Sequence, residues 1–173
     1  MPQAVQLDDM LHQLCDARAD AAVCVHFGGS WQVRRYQGRV HVLQNPGEFD
    51  SRQQLVWQGE ALLDWPALQL HIVFKESVGQ GISLVRLQGK SVTLRHRHGG
   101  ESLRPAPAAA TRTLKNLLQE HHIPPWQRDR LPLLYCGEEL VCVTGVAVAA
   151  EYQAKAGEPG VEMVVGPWSV TPS

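Results

Sequence analysis

The run Ile123-Pro124-Pro125-Trp126-Gln127-Arg128-Asp129-Arg130-Leu131-Pro132-Leu133-Leu134-Tyr135 constrains this chain more than any other segment. It holds three prolines, two arginines and two aromatics in thirteen residues. Proline fixes φ near about −65° and removes an N–H donor, which excludes an ordinary helix or central strand through the run. A stiff segment with Arg-Asp-Arg at its centre is poor core material. It holds guanidinium groups on a nearly pre-ordered surface, and the expectation is a charged surface for an anionic partner.

Charge position supports that expectation where total charge is silent. The chain carries 16 Lys+Arg against 17 Asp+Glu, for a net charge of −1. Residues 95–130, however, hold Arg95, Arg97, Arg104, Arg112, Lys115, Arg128 and Arg130 against Glu101, Glu120 and Asp129, a local net of +4. From Leu131 onward Lys155 faces five glutamates, a net of −4. A basic patch of this kind is an electrostatic footprint for nucleic acid. Chance segregation on a solvated surface is the bland alternative, since a stretch of this charge is not a polybasic run.

At 173 residues the chain suits one ordinary domain or two small ones. No apolar stretch approaches the ~20 residues of a membrane helix, so no membrane partner is expected. The first residues, Met1 to Asp9, are acidic where a secretory signal is basic and apolar. Cys15, Cys24, Cys136 and Cys142 form no C-x-x-C pair and read as reduced, mostly buried thiols. A cytoplasmic location follows as the expectation.

Periodicity divides the chain. Leu7, Met10, Leu11, Leu14 and Cys15 recur at helical spacing, which predicts an amphipathic helix over Leu7–Ala19. Val23–Phe27, Trp31–Tyr36 and Arg39–Leu43, separated by glycine turns, predict a three-stranded meander. Residues 44–66 read as a connection carrying a short strand at Gln54–Trp57. Further strands are expected at Ala67–Phe74, Ile82–Val85 and Ser91–Arg95. A loop over His98–Pro105 follows, then a helix over Leu114–His121 capped by Thr111 or Thr113. Leu133–Val143 reads as a hairpin turning at Gly137, with Val146–Val148 and Val161–Val165 completing the sheet and a loose tail from Gly166. The fold class is α+β in two small domains: a helix plus antiparallel meander, then a mixed α/β domain. The division is 1–66 and 67–173.

Catalytic constellations are missing. There is no G-x-x-x-x-G-K-[ST] phosphate loop, G-x-G-x-x-G turn, H-E-x-x-H helix or G-x-S-x-G elbow in the sequence. His96-Arg97-His98 at strand spacing would put both imidazoles on one face, but without carboxylate or cysteine ligands at a matching distance no metal is expected. No catalytic residue is assigned. What remains is recognition by Arg104, Arg112, Lys115, Arg128 and Arg130, since Arg matches phosphate as a fork and Lys as a point charge. Trp126 is placed to stack on an unpaired base, or to plug the core. Arg128 and Arg130 are equally placed to pair internally with Asp129 or Glu120.

Three ordered blocks carry a resemblance. They are Arg97-His98-Gly99-Gly100-Glu101-Ser102-Leu103-Arg104-Pro105, Thr111-Arg112-Thr113-Leu114-Lys115-Asn116-Leu117-Leu118-Gln119-Glu120 and Ile123 to Leu133, followed by the hairpin Gly137-Glu138-Glu139-Leu140-Val141-Cys142-Val143. This series resembles the C-terminal domain of the tRNA(Ile)-lysidine synthetase family. Leu11–Ala22 and Trp31–Gly38 are similar to that family's middle, substrate-binding domain.

The resemblance implies a tRNA-binding region of an ATP-dependent ligase that joins lysine to the wobble cytidine of CAU-anticodon isoleucine tRNA. ATP and lysine would be substrates of the full-length enzyme, with no cofactor in this part. The family's S-G-G-x-D-S phosphate loop is not reproduced by Gly28-Gly29-Ser30 or Gly99-Gly100-Glu101, so the implied piece lacks the catalytic domain and is inactive alone. By this likeness residues 1–66 form the substrate-binding domain with its connection, and 67–173 the tRNA-binding domain. The site expected to bind tRNA, and not DNA, is Arg104, Arg112, Lys115, Trp126, Arg128 and Arg130. The reading from another class is a protein–protein or dimerisation module anchored by the Pro-Trp-Arg run; a homodimer stands as a further partner. Replacing Arg128 and Arg130 together with Ala is expected to weaken RNA binding and flatten its salt dependence while leaving thermal stability nearly unchanged.

Overall fold

A computed structural model of the chain describes residues 4–18, 23–27, 29, 31–44 and 48–167. The chain divides into two compact units, Met1–Glu48 and Phe49–Ser173.

The smaller unit begins with helix α1, Ala4–Asp16. It starts three residues earlier than its apolar spacing suggested, and the expected end at Ala19 lies outside the described residues. Strands β1 (Cys24–Phe27), β2 (Trp31–Tyr36) and β3 (Arg39–Gln44) form an antiparallel meander in that order. The register places Val25 beside Val33 and Val33 beside Val42. Val33 is fully buried, with Val23 and Val25 packed on it. Gln32 is buried as well, although it alternates to the opposite face. Its side-chain oxygen accepts hydrogen bonds from Arg34 Nε at 3.1 Å and Cys24 Sγ at 3.5 Å, which satisfies the buried amide oxygen.

The larger unit holds two main sheets over one core. Strand β4 (Leu55–Trp57) pairs with β8 (Val92–Arg95), and β5 (Leu62–Trp65) pairs with β6 (Leu70–Val78). The segment read as a connection therefore supplies an edge strand to each sheet. Strand β7 (Ile82–Ser83) gives way to the single helical turn α2 (Leu84–Leu87) where one strand was expected. The cause is local: the Ser83 hydroxyl caps the turn by accepting from the Arg86 N–H. After β9 (Ser102–Leu103), inside the expected loop, come β10 (Arg112–Thr113), helix α3 (Leu114–Glu120) and the helical turn α4 (Pro125–Arg128). Strands β11 (Leu133–Cys136), β12 (Glu139–Val143), β13 (Ala147–Val148) and β14 (Pro159–Pro167) complete the unit. β14 carries Gly166 and Pro167, which were expected in a loose tail.

The five-stranded sheet runs β13-β12-β11-β8-β4 and the four-stranded sheet β5-β6-β14-β7. All four residues of β11 are buried, as a strand covered on both faces requires. Trp57 on β4 stacks on Phe74 of β6 at 4.6 Å between centroids, joining the two sheets. Leu114, Leu117 and Leu118 bury one stripe of α3 into the same core. Each such side chain contributes roughly 1.5–3 kcal/mol relative to exposure. Among the described residues no helix is long and apolar enough to cross a membrane. Cys136 and Cys142 are buried, and burial pushes the Cys142 thiol up to about 12. Cys15 and Cys24 are exposed, against the expectation of mostly buried thiols.

Candidate nucleic-acid interface

Strand β10 and helix α3 position two candidate cations, Arg112 and Lys115. Of the two threonines considered as caps, Thr113 is the one, its hydroxyl accepting from the Asn116 N–H at 3.3 Å. With Leu114, Leu117 and Leu118 facing inward, Lys115 is left exposed on the first turn. Lys115 has no carboxylate partner within ion-pair distance among the described residues. Arg112 precedes the helix, and its guanidinium fork is closed by both carboxylate oxygens of Glu120 at the helix end. Arg112 lies across from Leu103 in the β9–β10 pair, so the residue next to Leu103, Arg104, is brought close to it.

The proline run holds three more. Pro125 is the first residue of α4, where a missing N–H costs nothing, so the run accommodates one helical turn. Arg128 Nε donates to the Ile123 carbonyl at 2.8 Å, and Trp126 is half-buried. The Arg130 guanidinium carbon lies 4.9 Å from the Phe49 ring centroid, and burial holds its pKa below the usual arginine value. Asp129 pairs with Arg97 at 3.5 Å, and Glu120 with Arg112.

Arg104 opens a groove that sequence reading missed. A cavity of about 590 Å³ is lined by Arg86, Lys90, Arg104, Glu151 and Tyr152, among others. Arg104 Nη2 donates to Glu151 Oε1 at 2.7 Å, while Nη1 reaches the Pro107 carbonyl at 3.3 Å. Arg86 Nη1 donates to the Glu151 main-chain carbonyl, and the Lys90 ammonium sits 5.5 Å from the Tyr152 ring centroid. The Tyr152 hydroxyl donates to Glu139, and burial, with that bond, pushes the phenol's pKa up. Glu151 is held below the usual carboxylate range by its own main-chain N–H and then by Arg104. An adjoining cavity of about 340 Å³ is bounded by Arg95, His98, Glu101 and Tyr135, and shares Ser102, Glu138 and Leu140 with the first. Arg95 is closed by Glu138 at 2.9 and 3.2 Å and by the Gly137 carbonyl at 2.9 Å. That pairing raises the Arg95 pKa and lowers that of Glu138. Arg86 and Lys90 lie outside the basic stretch, and no local pattern marks them.

His96 and His98 do not share a face, because β8 ends at Arg95. His96 is fully buried between the rings of Phe49 and Trp65, at 4.8 and 4.6 Å, whereas His98 is exposed. Among the described residues, no three His, Cys, Asp or Glu side chains converge as metal ligands.

Comparison with known proteins places this geometry in a family. Residues 1–41 match the TilS substrate binding domain, and residues 92–165 the TilS substrate C-terminal domain. The chain is 33% identical over 163 residues to the tRNA(Ile)-lysidine synthase of Nitrosomonas europaea, covering 92% of this chain and 35% of that protein. To the Coxiella burnetii tRNA(Ile)-lysidine synthase it is 31% identical over 167 residues, covering 96% and 37%. The chain thus spans about a third of the length of these curated relatives. A crystal structure of the TilS C-terminal domain superposes with a TM-score of 0.52 at 17% identity, covering 70% of this chain and all of that one, which shows a shared fold. Two domain matches of one family, in order along one chain and carried by full-width relatives, lead to one conclusion: the chain belongs to the tRNA(Ile)-lysidine synthase family and corresponds to the C-terminal part of its members.

Proposed function

We propose that this chain is the tRNA-holding region of an ATP-dependent ligase that attaches lysine to the wobble cytidine of CAU-anticodon isoleucine tRNA. The observation that carries the reading is the ordered pair of domain matches, at residues 1–41 and 92–165. ATP and lysine would be used by the full-length enzyme, in the cytoplasm, where tRNA is modified. Residues 1–66 would act as the substrate-binding domain with its connection, and 67–173 as the tRNA-binding domain. Arg104, Arg112, Lys115, Trp126, Arg128 and Arg130 are the side chains assigned to RNA contact. Arginine and lysine would fix the tRNA body through its phosphates, which position without reading sequence. A homodimer is compatible with this reading and is not required by it.

The test is a salt titration of the chain's affinity for CAU-anticodon isoleucine tRNA, beside an unrelated tRNA and a duplex DNA. Phosphate-driven binding gives a log–log slope of about −0.9 per contacted phosphate on a duplex. Salt-sensitive binding that prefers tRNA is the expected result. Absence of binding at low salt would remove the reading.

A further inference from the structure

The arginines of the basic stretch are not equally available. Arg112 and Arg95 each have both fork positions filled by a glutamate, through Glu120 and Glu138. Arg104 differs: one glutamate oxygen holds one terminal nitrogen, and the other nitrogen makes a 3.3 Å contact with a carbonyl. A phosphate offers that guanidinium a two-point acceptor that Glu151 does not. Beside it in the same groove stand Arg86, which donates to the main-chain carbonyl of Glu151, and Lys90, over an aromatic ring. Three cations from two segments, Arg86 and Lys90 four residues apart and Arg104 just after β9, thus line one groove with Glu138, Glu139 and Glu151; Arg95 holds Glu138 and the Tyr152 hydroxyl holds Glu139, which leaves Glu151 as the carboxylate on Arg104.

We propose that the groove lined by Arg86, Lys90 and Arg104 is the phosphodiester-binding track of the RNA surface, with Glu151 as a resident competitor that lowers its affinity for every polyanion. This rests on the tRNA-binding reading and deepens it. In the free protein Glu151 occupies the anion position on Arg104. An RNA backbone must displace it, and any polyanion meets the same competitor. RNA whose shape seats phosphates on all three cations recovers that cost, whereas a poorly fitting polyanion does not. Specificity is a difference of affinities, so a displacement cost common to every polyanion cancels from it, and discrimination comes from how many of the three cations a given shape seats on phosphate.

The test measures the affinity of the 173-residue chain for CAU-anticodon isoleucine tRNA and for duplex DNA against salt. Wild type is compared with Glu151→Gln, Arg86→Ala/Lys90→Ala and Arg112→Ala, and thermal melting checks that each variant folds. Arg86→Ala/Lys90→Ala is expected to weaken tRNA binding about tenfold and to reduce the log–log slope by about 1.5–2. Glu151→Gln is expected to raise tRNA affinity several-fold, and duplex affinity by no more than that. Arg112→Ala should change the slope less than the double variant does. If wild type binds tRNA but the double variant keeps its slope, or Glu151→Gln leaves tRNA affinity unchanged, the groove assignment falls while the tRNA reading stands. If neither wild type nor Glu151→Gln binds RNA at low salt, both fall.

Discussion

Arg104 and Glu151, 47 residues apart in the chain, meet at 2.7 Å. Their side chains remain 40% and 53% exposed, so solvent screens the pair. Exposed ion pairs contribute about 0–1 kcal/mol. Arg104→Ala is therefore expected to lower the melting midpoint by only a few degrees while weakening tRNA binding several-fold. Calorimetry beside a binding isotherm checks both. A large drop in midpoint with intact affinity would make Arg104 structural.

Arg128 and Arg130 behave differently from what a solvated Arg-Asp-Arg suggests. One donates to the Ile123 carbonyl and the other lies over Phe49. Half-buried contacts of this kind are worth about 0.5–2 kcal/mol each. Replacing both with Ala is now expected to cost about 2 kcal/mol, against the near-neutral effect expected from sequence. Denaturant unfolding reads it directly, and an unchanged transition midpoint would return both residues to the surface.

Lys115 gives a cleaner probe of charge. A cation in the first turn of α3 opposes the helix dipole, so its removal relieves a small repulsion. Lys115→Ala should leave stability equal or slightly higher, yet reduce the salt slope of tRNA binding by about one phosphate contact. An unchanged slope would exclude Lys115 from the interface.

His96 should make stability fall in mild acid. Burial lowers its pKa, the Asp129 main chain opposes that, and His98 and Arg130 repel a proton that Asp50 attracts. The unfolded chain binds a proton near pH 6.5, whereas the folded chain does so only at lower pH. Stability is therefore full above about 6.5 and declines as pH falls toward the folded value, by up to about 1.4 kcal/mol per pH unit. Melting at pH 7 and pH 5.5 should show the loss, and His96→Phe should flatten it. A wild-type midpoint independent of pH over that window would contradict the assignment.

Gly160 is set by close approach. A Cβ there would lie 2.2 Å from the Gln80 carbonyl oxygen, and one on Gly81 would lie 2.5 Å from that of Val161. Both contacts are with main chain, where β14 meets β7 and the turn before it, so neither can move aside cheaply. Gly160→Ala is expected to destabilise by about 2–3 kcal/mol. A stability within experimental error of wild type would mean that the strands separate freely.

Much of the fold was legible because its signals are local. Glycine at 137 turned the β11–β12 hairpin, Thr113 capped a Leu114-Leu117-Leu118 stripe, and alternation marked β2 and β3. β5 was missed because Leu62-Leu63-Asp64-Trp65 does not alternate and gains its strand form from pairing with β6. The turn at α2 was missed because a serine cap outweighed an apolar run that reads equally well as a strand.

Charge shows the boundary most plainly. Composition along the chain established a basic stretch at 95–130 and an acidic one after Leu131, and with them the kind of partner to look for. Folding lays part of one on the other: Arg95 meets Glu138 and Arg104 meets Glu151. Coulomb interaction depends on distance through space, and residues 43 and 47 positions apart become neighbours only when β8, β9 and β12 pack in one unit. Which arginines are closed, which one stays half-open and which distant cations join it were therefore matters for the packed chain.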